Sequence, residues 1–124
     1  MKTTLYFVLM GFLSPTLASA QQVDILKIFE HFTVSSAVAG QCIKPSDAEL
    51  TSFLANYQTV VVSALTEIKK RNPSLTDDQA SKIMKDGGVK LTESAITVIK
   101  ERGCDSPAVK TLIDRFYRQA AWQP

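Results

Sequence analysis

His31 is the only histidine in the chain, so any Ser-His-Asp or Cys-His nucleophile, or any imidazole-bound metal, has to be built around it. At helical spacing it shares a face with Asp24, Lys27 and Ser35. That pattern reads as a solvated face, with no Gly-rich nucleophile turn and no second ligand at metal spacing. Haem ligation by His31 and Met84 is conceivable between helices, but a lone Met on an apolar stripe is ordinary core material. Asp77 and Asp78 form a carboxylate pair of the kind acid–base chemistry uses. They follow Thr76 at the start of a helical pattern, where the helix dipole already explains them. Gly87-Gly88 has no strand before it and so no phosphate-cradling loop. The expectation is a protein that is not an enzyme, with no catalytic residues, no metal and no cofactor.

The two cysteines, Cys42 and Cys104, acquire meaning from the first twenty residues. Lys2 is followed by an apolar run from Leu5 to Leu13, and Ala18-Ser19-Ala20 offers the small residues a signal peptidase reads. Residues 1–20 are therefore expected to be a cleaved signal peptide, with cleavage before Gln21 and a single helical domain over residues 21–124. Pro15 interrupts the run well short of the roughly 20 apolar residues a membrane anchor needs, and no later stretch could span a bilayer. The mature chain is expected in the periplasm or secreted. In such an oxidising compartment Cys42 and Cys104 should form a structural disulfide, because neither a Cys-x-x-Cys motif nor a Cys/His metal set is present.

Charge and surface residues narrow the partners. Lys and Arg number 14 against 12 Asp and Glu, a formal net charge of +2, which supplies no strong positive field and argues against nucleic acid. Lys69-Lys70-Arg71 ends a helical pattern, where cations complement the dipole. Lys110, Asp114 and Arg118 are spaced for i, i+4 ion pairs. The surface candidate is the C-terminal cluster of Arg115, Tyr117, Arg118 and Trp122, because aromatic residues and Arg carry much of the energy at protein interfaces. The competing reading folds Trp122 back over the open end of a small core.

The elements that must position these residues are helices, since Gly and Pro fall almost entirely at candidate boundaries. A first helix is expected over Val23 to Ala39, with Leu26, Phe29 and Phe32 at helical spacing, Ile25 and Ile28 beside them, and Gly40 as the stop. Ser46 and Glu49 form a capping box before a second helix whose stripe is Leu50, Phe53, Leu54, Tyr57, Val61, Ala64, Leu65 and Ile68, ended by Asn72-Pro73. Thr76 and Gln79 repeat the box before a third, whose stripe of Ala80, Ile83, Met84, Leu91, Ala95, Val98 and Ile99 keeps phase across a candidate kink at Gly87 and Gly88. Gly103 ends it. Ser106 and Pro107 then start a fourth, with Val109, Leu112, Ile113, Phe116 and Ala120 inward.

The disulfide selects the topology. In an up-down-up-down bundle both cysteines fall in connections at the same end, whereas a chain reversal at Gly87-Gly88 would part them by the length of a helix. The fold expectation is all-α: a four-helix up-down-up-down bundle with a kinked third helix and one disulfide. Export and the missing catalytic set point to a protein that acts by binding another protein, as immunity or chaperone-like factors do. The alternatives are a carrier of a small apolar ligand between helices near Gly87-Gly88 and a small secreted enzyme.

Overall fold

A computed structural model describes residues 24–124 as four helices: α1 (Ile25–Cys42), α2 (Asp47–Arg71), α3 (Asp77–Arg102) and α4 (Pro107–Ala121). The leader expected over residues 1–20 lies outside the described residues. The caps are the ones the sequence implies. Both capping boxes close, Ser46 with Glu49 and Thr76 with Gln79. Ser106 Oγ accepts from the Val109 N–H with Pro107 at the first helical position, and Gly103 takes a positive φ of 84° after α3. The first helix departs from expectation. Asp24 is its N-cap, accepting from Leu26 and Lys27, and Gly40 does not stop it: the helix continues to Cys42, and the Ile43 N–H bonds the Ala39 carbonyl.

The helices alternate in direction. Phe32 stacks on Phe53 and Phe29 lies beside Tyr57, so α1 and α2 are antiparallel. Phe53 meets Phe116 at 4.5 Å while Asn56 reaches Gln119, so α2 and α4 run parallel. Cys42 and Cys104 are joined with Cα atoms 5.5 Å apart, an ordinary disulfide span, which brings the α1–α2 and α3–α4 connections to one end. This is the expected all-α bundle. Its cross-section is skewed, however: α1 packs against all three other helices, α4 packs on α1 and α2, and α3 leans mainly on α1 with a lighter contact to α2. The helices of matched length, α2 and α3, are thus not the main partners.

That placement rotates the buried faces. Because α1 is covered from three sides, it buries Thr33 and Ser35 along with Phe32, Val38 and Ala39, so Ser35 is not on a solvated face. Thr33 is satisfied: its hydroxyl donates to the Phe29 carbonyl and therefore accepts from the Tyr57 hydroxyl, 2.6 Å away. In α2 the buried row is Phe53, Asn56, Val60 and Ala64, while Leu50 and Leu54 face outward. The apolar sector of α2 is simply wider than the face its neighbours cover. In α3, Ala80, Met84, Ala95 and Ile99 are buried, while Ile83 and Val98 are exposed. The chain stays helical through Gly87-Gly88, with no break there. A Cβ at Gly88 would meet the Phe29 ring at 3.8 Å, an ordinary contact.

Two apolar clusters result. One, centred on Phe32, Phe53, Val60 and Phe116, fills the space between α1, α2 and α4. The other, Val38, Ile99 and Val109, lies under the disulfide with Cys42 and Cys104 packed on it. No helix among the described residues is long and apolar enough to cross a membrane.

Candidate functional site

At the end opposite the disulfide, α1 and α4 part over two turns and leave a groove of about 600 Å³, within the size range of ligand pockets. Its floor is apolar, made by Ile25, Ile28 and Phe32 of α1 and by Val60 of α2; its rim carries His31, Arg115, Arg118, Gln119 and Trp122. Helical periodicity places most of these residues: 25, 28 and 32 lie along one face of α1, and 115, 118 and 119 along one face of α4, while Trp122 follows as the extended C-cap residue.

Trp122 is positioned by a contact that the sequence reading missed. Asn56, buried in the middle of α2, donates through Nδ2 to the main-chain carbonyls of Gln119 and Trp122, each at 2.8 Å. These two bonds hold the chain where it leaves α4: the Gln119 carbonyl accepts from Asn56 in addition to the Trp122 N–H, and the Trp122 carbonyl accepts from Asn56 beyond the helix end. The indole edge then rests against Phe32, with centroids 6.4 Å apart, yet Trp122 remains 43% exposed. Trp122 therefore folds back onto the core, as the competing reading expects, while part of its ring stays in contact with solvent. The signal for Asn56 was its place three residues after Phe53 and four before Val60, on the row that is buried.

The four clustered residues do not stay together. Arg115, Arg118 and Trp122 share the groove. Tyr117 lies in a separate hollow beside Ala48, Glu49 and Ser52 of α2, its ring edge-on to Phe116 at 5.3 Å. The i, i+4 pairs expected of Lys110, Asp114 and Arg118 do not form. The ion pairs among the described residues are Lys27–Glu30, Lys69–Asp77, Arg71–Glu67 and Lys82–Asp86. Neither groove arginine has a carboxylate partner among these residues.

Electrostatics reflect this surplus. His31 has its pKa lowered below the ordinary 6.5, first by burial, then by the positive charges of Arg115 and Lys27, with Glu30 opposing. Two of the three cations at the end of α2 are locally occupied, Lys69 by Asp77 and Arg71 by Glu67. The Lys69 bond holds the Asp77 carboxyl below its usual range, and the capping-box bonds from Ser46 do the same for Glu49.

Other sequence candidates are dispersed. Met84 is buried on α3 and does not line the groove with His31. No group of three metal-ligating side chains converges among the described residues. A side chain at Gly88 would make ordinary contact with Phe29, and the groove between α1 and α4 is not lined by either glycine. Compared with protein-family models, with curated proteins and with solved structures, the chain matches none.

Proposed function

We propose that this is an exported, non-enzymatic protein that works by binding another protein through the α1–α4 groove. The observation that carries the reading is the combination at one site of an apolar floor, a half-exposed tryptophan and two arginines without carboxylate partners among the described residues. Trp and Arg are the residue types that dominate interface energetics, and they do so around pockets from which water is excluded. The Cys42–Cys104 disulfide supports export, since such bonds persist in oxidising compartments.

The test is native mass spectrometry of residues 21–124 purified gently from the protein's own compartment, for the natural chain and for Trp122→Ala and Arg118→Ala. A co-purified polypeptide that is lost from both variants supports the reading; one retained unchanged removes the groove from it. The second reading is the carrier, relocated from the double glycine to this groove because the floor is apolar and the volume suits a small molecule. An added mass of a few hundred daltons, and no second polypeptide, would put the carrier first.

A further inference from the structure

The groove has a length, a direction and a sign of charge, and together these specify what fits it. Its walls are two antiparallel helices, of which α1 contributes Ile25, Ile28 and Phe32 at i, i+3 and i+7, so it is about 10 Å long, or two helical turns. That is the interval at which an amphipathic helix presents successive apolar anchors. The charge is one-sided: Arg115 and Arg118 stand on the α4 wall without a carboxylate partner among the described residues. On the α1 wall Lys27 is already paired with Glu30 at 3.6 Å, and His31 carries the proton-repelling influence of Arg115.

Just past the groove the bundle is also short of a helix. Asn56 of α2 lies level with Gln119, near the end of α4, yet α2 continues to Arg71. Beyond Val60, α2 has no α4 beside it.

We infer that the groove receives an acidic amphipathic helix of the partner protein, its apolar residues seated on Ile28, Phe32 and Val60 and its carboxylates meeting Arg115 and Arg118. Carboxylates on the docking helix would complete bidentate pairs that Arg favours, and its apolar face would cover the floor that Trp122 covers only in part. This rests on the protein-binding reading above and names the chemistry of the partner.

The experiment uses three 15-residue helical peptides: one with Leu at i, i+3 and i+7 flanked by Glu, one with Lys replacing each Glu, and one with Ser replacing each Leu. Binding to residues 21–124, with the disulfide intact, is read by fluorescence anisotropy. The Glu peptide should bind saturably, and the other two at least about tenfold more weakly. Arg115→Ala with Arg118→Ala, and separately Trp122→Ala, should each weaken the Glu peptide by a similar factor while circular dichroism stays unchanged. Equal binding of the Glu and Lys peptides, or indifference to the double Arg variant, overturns the inference. So does failure of all three peptides, whether the groove then takes sodium dodecanoate, anionic phospholipid vesicles or a second copy of the chain, read as concentration-dependent mass. If the native complex is lost on Trp122→Ala while no acidic peptide binds, the partner class is wrong and the protein-binding reading stands. If the acidic peptide binds while no polypeptide co-purifies, the groove chemistry is right and the functional reading fails.

Discussion

At the end that holds Cys42 and Cys104, Val38 and Val109 are fully buried beneath the disulfide, the connections are four residues each, and the helices leave together from capped starts. At the opposite end α1 and α4 separate over a groove, Trp122 is half-exposed, and Val62 and Ile83 stand outward on α2 and α3. One polypeptide thus places its covalent restraint at one end and an open groove, with two arginines that have no carboxylate partner among the described residues, at the other, while apolar side chains stand outward at both, Leu50, Leu54 and Val98 nearer the disulfide and Val62 and Ile83 away from it. The division has a physical logic. A domain of this size has little core to distribute, so a groove that costs buried area at one end is tolerated when chain entropy is restrained at the other.

The largest effect should come from removing that restraint. The disulfide closes a loop with a sequence separation of 62, for which the chain-entropy model gives about 4 kcal/mol at most. Cys42→Ser with Cys104→Ser should lower the urea midpoint strongly, and reductant should do the same to the natural protein but not to the double variant. A midpoint that hardly moves would mean that the apolar clusters alone hold the bundle.

A matched pair of smaller changes sharpens the contrast. Val109 is 0% exposed under the disulfide, whereas Val62 is 54% exposed on the far half of α2. Val109→Ala removes buried methyl groups and leaves a cavity, and should cost about 2 kcal/mol. Val62→Ala should change stability by less than about 0.5 kcal/mol. Equal losses would show that the open end is covered in solution, for instance by self-association, which analytical ultracentrifugation of both variants would detect.

The same division marks how far the sequence could be read. Capping boxes, Gly103 and Pro107 are local signals, and they placed the starts of α2, α3 and α4 and the end of α3. The cysteines, once read as a bond, fixed which connections share an end. What periodicity could not supply was coverage. Leu50 and Leu54 belong to the apolar sector of α2 as surely as Phe53, but only tertiary packing decides which half of that sector is buried. Ser35 is buried for the converse reason, since α1 lies against three helices and has little face left for solvent. The candidate site is legible in part: residue type and spacing pick out Arg115, Arg118 and Trp122, which share the groove, whereas Tyr117 lines a separate hollow because nearness in sequence is not nearness across a helix. Periodicity alone puts His31 on an exposed face of α1, and its place on the groove rim depends on α4, far away in the chain.

The smallest effect, and the one that titrates the two ends separately, concerns His31 and Glu49. The folded pKa of His31 is lowered below 6.5 by burial and by Arg115 and Lys27, so the unfolded chain takes up the proton first. Stability from keeping this imidazole neutral is complete above about pH 6.5 and is lost as pH falls from there through the lowered folded value. Glu49 behaves oppositely in origin, because its folded pKa is lowered by the Ser46 hydrogen bonds. Its contribution is present above its unfolded value of 4.5 and is lost as pH falls through the lowered folded one, a window that opens below the one that opens at 6.5 for His31. Urea midpoints should therefore fall in two stages on acidification. His31→Gln should abolish the first stage and leave the second. Glu49→Gln should diminish the second and leave the first. If His31→Gln leaves the first stage intact, that stage does not come from the groove imidazole, and burial together with the Arg115 and Lys27 charges does not make His31 a pH-sensitive contributor to stability.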